Sequence, residues 1–188
     1  MFFEHKSAPL APPEDLANLK VTAARLGDAL SVTGAAPDFS DLDFTVDRVD
    51  HLEAGSRRWV ELSGSWRDRR VYLEVHNDEA PEVFGNFDGR KITLDELGLT
   101  EDDLAQIDGR QNPSDFFDYD GKFWLYRFSR EMGLFTADNA TGQGLYAWQF
   151  QEQDGKRFMN LRKHAGEPFA ASIWIKIEPT DITVYRSA

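Results

Sequence analysis

The sequence predicts a mostly β protein: two consecutive antiparallel meanders, as an SH3-like barrel or a sandwich, with a short acidic helical linker and an N-terminal arm or helix. Three observations carry this. From Asp43 onward apolar and polar residues alternate over most of the chain, the period of a strand whose successive side chains point to opposite faces. The runs are short and separated by turn-forming residues at the spacing of a barrel or sandwich. Residues 91–115 alone break the strand rhythm with helix-start signals. The divisions are 1–42 (arm or helix), 43–90 (first meander), 91–115 (acidic linker) and 116–188 (second meander), and an apolar share of 41% suffices for a core.

In the first segment, Pro9, Pro12, Pro13 and Pro37 punctuate an Ala-rich stretch. Between them Leu16, Leu19, Ala23, Leu26 and Leu30 recur at roughly helical spacing, which predicts a short helix over 14–30, packed on the domain or offered to a partner. The first meander follows in DFTVDRVD, RWVELSG and RRVYLEVH, with an extension in EVFGNF. In its third run Val71, Leu73 and Val75 share one face and Tyr72, Glu74 and His76 the other, the mark of a half-buried strand. GSWRDRR between the second and third runs reads as a turn built on Gly64 and Asp68.

Thr100 followed by Glu101, Asp102 and Asp103 is a helix start, because a Thr N-cap accepts an amide hydrogen bond and carboxylates suit the positive end of the helix dipole. Asp108-Gly109 ends that helix, and residues 93–97 add one turn before it. Asp120-Gly121 then has the residue types of a tight hairpin turn. KFWLYRFS, GLFTA, GLYAWQFQ, KRFMNLRK, SIWIKIE and DITVYR complete the second meander, with Asp154-Gly155 as another turn.

The formal charge is -12, an unsuitable surface for nucleic acid, which requires clustered cations. The absence of cysteine excludes disulfides and thiolate chemistry. No stretch approaches a membrane-spanning length, and MFFEHKSAPLAPPEDL lacks the pattern of a signal peptide, so a cytoplasmic protein is expected. Residues 95–120 hold nine carboxylates against Arg110 alone. Such a run is a solvated surface or a face for a polycation.

No motif specifies catalysis, a metal or a cofactor. Gly142-Gln143-Gly144-Leu145-Tyr146-Ala147 fits a loose dinucleotide pattern, but a strand follows where a helix must begin, and the glycines read as a hairpin loop. Asp115, Asp118, Asp120 and Gly121 resemble part of a calcium loop, yet Phe116 takes its first position and Arg127 the place of the bidentate Glu. His5, His51, His76 and His164 do not pair at zinc-binding spacing, and no G-x-S-x-G occurs. His76 reads as a surface or core-edge residue. No enzymatic activity and no cofactor are expected.

Two groups remain as binding candidates. Glu101, Asp102 and Asp103 form an acidic face for a protein partner or a polyamine. Trp124, Tyr126, Tyr146 and Trp148 either fill the core or, with one face exposed, form a stacking platform for a ring-bearing or cationic ligand.

From about Asp43 to Arg186 the chain resembles the bacterial domain-of-unknown-function family 4178. The residues that carry the resemblance are RRWVELSG with RRVYLEVHNDE, then FFDYDGKFWLYRFSREMGLFTA, GLYAWQFQEQDGKRFMNLRK and EPFAASIWIKIEPTDITVYR. The acidic insertion near 86–115 and the N-terminal arm depart from the family's pattern. The resemblance implies an all-β domain with no established activity and no catalytic residues to carry over. It also implies an accessory role beside spermidine synthase-like proteins, small membrane proteins and relatives of phage-shock protein A, in an envelope-stress or polyamine-linked system.

Overall fold

A computed structural model describes residues 18–77 and 79–186. The chain is mostly β, and its strands form two sheets. Eight strands make one closed antiparallel barrel: β3 (Arg48–Ala54), β4 (Arg57–Trp66), β5 (Arg69–His76), β6 (Glu82–Asn86), β8 (Lys122–Thr136), β9 (Asn139–Glu152), β10 (Arg157–His164) and β11 (Ala170–Ile177). The order around the barrel is β3-β4-β5-β6-β11-β10-β9-β8, and β8 returns to β3 through His51–Phe135, Leu52–Leu134 and Glu53–Gly133. A further strand, β7 (Phe116–Tyr119), is attached to β8. The two sequential runs of hairpins are thus halves of one barrel, joined at β6–β11 and at β3–β8.

The small sheet has the order β12-β1-β2, from β1 (Ala29–Val32), β2 (Leu42–Thr45) and β12 (Ile182–Tyr185). It corrects two sequence expectations. The helix expected over 14–30 is, from residue 18 on, a 3-10 turn at Val21–Ala23 followed by strand β1; its first four residues lie outside the described part. DFTVDRVD is not one strand, because β2 joins the small sheet and β3 starts the barrel. Leu30, Val32, Leu42, Phe44, Ile182 and Val184 of the small sheet pack on Leu62, Val71, Leu73, Val75 and Val83 of the barrel's outer face.

Two helices cover another part of that outer face. α1 (Leu94–Leu97) and α2 (Glu101–Arg110) each begin with a capping box, from Thr93 with Glu96 and from Thr100 with Asp103. Their Leu97, Leu104 and Ile107 join Trp124, Tyr126, Trp148, Phe150, Met159 and Leu161 in a second core. The glycine pair expected in a hairpin loop lies instead within β9, and the turn is at residues 137–138. The Phe135 ring packs where side chains at Gly133 and Gly142 would stand, so bare backbone there serves an aromatic contact.

With both covers on the outside, alternation sends the other face of each strand into the barrel. Tyr72, Glu74 and His76 therefore look into a lumen and not into solvent, as do Glu61 of β4 and Arg162 of β10. The opposite wall is apolar: Leu52, Ala54, Met132, Leu145 and Ala147 form a third cluster, with Trp59 and Leu134 against it.

Candidate functional site

The hairpin β4–β5 turns at Arg67-Asp68, and its register sets Glu61 directly opposite Glu74. Like charges at such positions repel. Both are buried, at 7% and 4% exposure. Arg162, reaching across from β10, resolves the conflict: Nη1 donates to Glu61 at 2.9 Å and Nη2 donates to Glu74. Burial pushes the Glu61 carboxyl above its usual range against the pull of Arg162, with Glu74 adding to the rise. Burial also acts on Glu74, but Arg162 and His76 more than offset it and hold that carboxyl below its usual range. Burial works against the Arg162 charge, and the two carboxylates outweigh it and raise the pKa of the guanidinium.

This bridge stands between two cavities, and Arg162 lines both. The smaller, about 140 Å³, opens at the end of the barrel that holds Arg57 and Glu82. Its wall is aromatic: Trp59 stacks on His76 at 4.9 Å and 11°, and Phe84 meets His76 edge-on at 5.4 Å. Arg130 lies over the Phe128 ring at 4.0 Å and Gln149 donates to Asn160 at 3.0 Å. His76, read from sequence as a surface or core-edge residue, thus belongs to the lumen, 3.3 Å from Glu74.

The larger cavity, about 380 Å³, opens at the opposite end. Tyr72 and Trp174 supply its ring-bearing wall, with centroids 6.3 Å apart, and the Arg162 guanidinium sits 5.8 Å from the Trp174 ring. Ser172 accepts from Trp174 Nε1 at 2.8 Å and fixes the indole. Asn86, buried at the rim, donates to the Ile173 carbonyl at 2.8 Å and accepts from Gly89 N at 3.2 Å, which anchors the loop carrying Arg90 and Lys91. Arg48 donates to Asp50 at 2.7 Å, and Arg70 donates to Asp47 at 2.6 and 3.1 Å.

His164 lies at this mouth, half-buried, its pKa held below the ordinary 6.5 by burial and then by Arg162 and Lys91, against Glu167. A base with a depressed folded pKa contributes stability that is full above the unfolded value and lost as the pH falls through the folded one. Urea midpoints at about pH 7.5 and about pH 5.5 test this, with His164→Gln expected to lose less stability on acidification than the parent. Equal losses would mean a solvated ring.

The structure places the sequence candidates outside the larger cavity, and of them Trp148 alone borders the smaller one. Trp124, Tyr126 and Trp148 are 1%, 1% and 7% exposed, in the core under the helices. A stacking platform needs open ring faces, so that alternative is corrected in favour of the core. Tyr146 is partly buried and donates to Asp108 at 2.8 Å, and Tyr126 donates to Gln111 at 2.8 Å. Ser129 and Gln111 also donate to Asp108, so these residues tie α2 to the barrel. Of the acidic trio, Glu101 and Asp102 are exposed at the start of α2, while Asp103 accepts from Thr100 N at 2.8 Å. The trio does not meet the lumen. The lumen's own carboxylates Glu61 and Glu74 are both engaged by Arg162.

Among the described residues no helix is long and apolar enough to cross a membrane. No family model, curated protein or solved structure matches this chain.

Proposed function

We propose that this protein binds one small organic molecule inside the barrel, in the larger cavity, and acts as a non-catalytic carrier or sensor. The observation that carries the reading is the lumen's composition. An eight-stranded barrel is just wide enough to be filled by its own side chains or to hold one small ligand. Here the two larger apolar cores lie on the outer face, while the interior holds a buried charged bridge beside a cavity of about 380 Å³. Such a bridge is rarely retained for stability, since apolar residues of similar volume serve as well or better. A cavity of that size, with an aromatic wall and a few fixed polar groups, has the character of a ligand site. An accessory role of the kind the family resemblance implies fits a ligand-responsive protein, and the charges of the lumen give the polyamine reading no support.

The test is fluorescence titration with 2-anilinonaphthalene-6-sulfonate, in the parent and in Ala170→Trp. Ala170 lines the larger cavity and pairs with Arg162 across β10–β11, so an indole there fills the space. Saturable binding of one probe per chain is expected, weakened about tenfold or more in the variant. Absence of saturable binding, or equal binding in a folded Ala170→Trp protein, would overturn the reading.

A further inference from the structure

We infer that the ligand of the larger cavity is a small organic anion with a planar ring and an N–H or O–H donor. The inference rests on the lumenal reading above and deepens it. The first observation is charge. In a chain of net charge -12, this cavity is lined by five cationic side chains, Arg48, Arg70, Arg90, Lys91 and Arg162, against the three carboxylates of Asp50, Glu61 and Glu167. The cations converge from β3, β5, the loop after β6, and β10. Arg48 pairs with Asp50, Arg70 with Asp47, Arg90 with Glu96 and Arg162 with Glu61 and Glu74, so what the cavity offers an anion is Lys91 and the guanidinium N–H groups outside these pairs. Guanidinium forks match the planar or tetrahedral oxygens of carboxylate, sulfonate and phosphate groups.

The second observation is independent of net charge. Asp50 lines the same cavity and is 5% exposed. Its Oδ2 accepts from Arg48, but its Oδ1 is buried and has no hydrogen-bond partner among the described residues. A buried acceptor left unmade is costly, and a donor from a bound molecule would satisfy it once the Asp50 carboxyl turns toward the cavity. The third is the wall of Tyr72 and Trp174, which gives a ring a surface to pack on. Anionic end at the rim, ring on the wall, donor toward Asp50: the three requirements describe one molecule.

Three probes of one ring system separate the requirements. 2-Anilinonaphthalene-6-sulfonate carries its charge and its N–H at opposite ends, its N-methyl form keeps the charge and loses the N–H, and N-phenyl-2-naphthylamine keeps the N–H and loses the charge. The first is expected to bind at least about tenfold more tightly than either of the others. Its advantage over the neutral amine is expected to narrow in Lys91→Gln, a change at an exposed rim position. Equal binding of the sulfonate and the neutral amine, both blocked by Ala170→Trp, would overturn the anion inference and leave the lumenal reading standing. Equal binding of the two sulfonates would overturn the donor inference. Failure of all three probes to bind would remove the lumenal reading itself.

Discussion

Arg162→Ala is expected to destabilise the protein by about 3–5 kcal/mol, because it leaves two buried carboxylates without their cation. Glu61 and Glu74 face each other across β4–β5 at 7% and 4% exposure, and Arg162 donates to both. Loss of the guanidinium thus leaves like charges together in a site shielded from water, where their repulsion is least screened. The sign of the pH dependence follows. Loss of Arg162 removes the main pull on both carboxyls and shifts both upward in the folded state, so the variant loses stability relative to its parent as the pH rises. Urea unfolding should therefore find the gap between parent and variant widest near neutrality and narrower on acidification. The combination Arg162→Met, Glu61→Gln, Glu74→Gln removes all three charges and should recover most of the loss, which keeps the test decisive if Arg162→Ala does not fold. A loss below about 1 kcal/mol for Arg162→Ala, the range of an exposed pair, would mean that water fills the bridge region.

That bridge marks the boundary of what the sequence makes legible. Alternation along RRVYLEVH correctly separates Val71, Leu73 and Val75 from Tyr72, Glu74 and His76. It does not say whether the polar face meets solvent or a lumen, since either environment accepts hydrogen-bonding side chains. The difference lies in closure, and the β6–β11 and β3–β8 pairings join residues about eighty or more positions apart, as in Val83 with Ile177 and His51 with Phe135. One signal was present. A two-residue turn at Arg67-Asp68 fixes Glu61 opposite Glu74, and such a pair demands a cation from elsewhere. Read from sequence, the turn spreads over GSWRDRR from Gly64 to Asp68, and of these two only Asp68 lies in it, so the register is not fixed. The helix starts at Thr93 and Thr100 were readable because capping is local chemistry. The aromatic strands were readable as strands, but the choice between core and platform depended on the helices that cover Trp124, Tyr126 and Trp148.

Gly64→Ala is expected to cost about 1–3 kcal/mol, the range of an overpacked interior. Gly64 is no turn residue. It sits within β4, where a Cβ would stand 2.1 Å from the Thr45 carbonyl oxygen and 2.7 Å from Phe44 Cδ2. Its backbone does not lie in the left-handed region, so alanine meets no torsional penalty and the cost is steric. The Phe44 ring can swing aside; the Thr45 carbonyl cannot move without displacing the end of β2 from the barrel. Gly109→Ala is the control: it lies in α2 with nothing within 4 Å of the added carbon, and should be neutral or stabilising by up to about 1 kcal/mol. Urea midpoints separate the two, and amide exchange locates the damage. Faster exchange at Ala29–Val32 in Gly64→Ala, with β10 unchanged, is the expected pattern, because β1 is held between β2 and β12 and rests on the same contact. A Gly64→Ala protein as stable as its parent would mean that the small sheet does not press on β4, and that the outer cover which turns the barrel's polar face inward is looser than its packing describes.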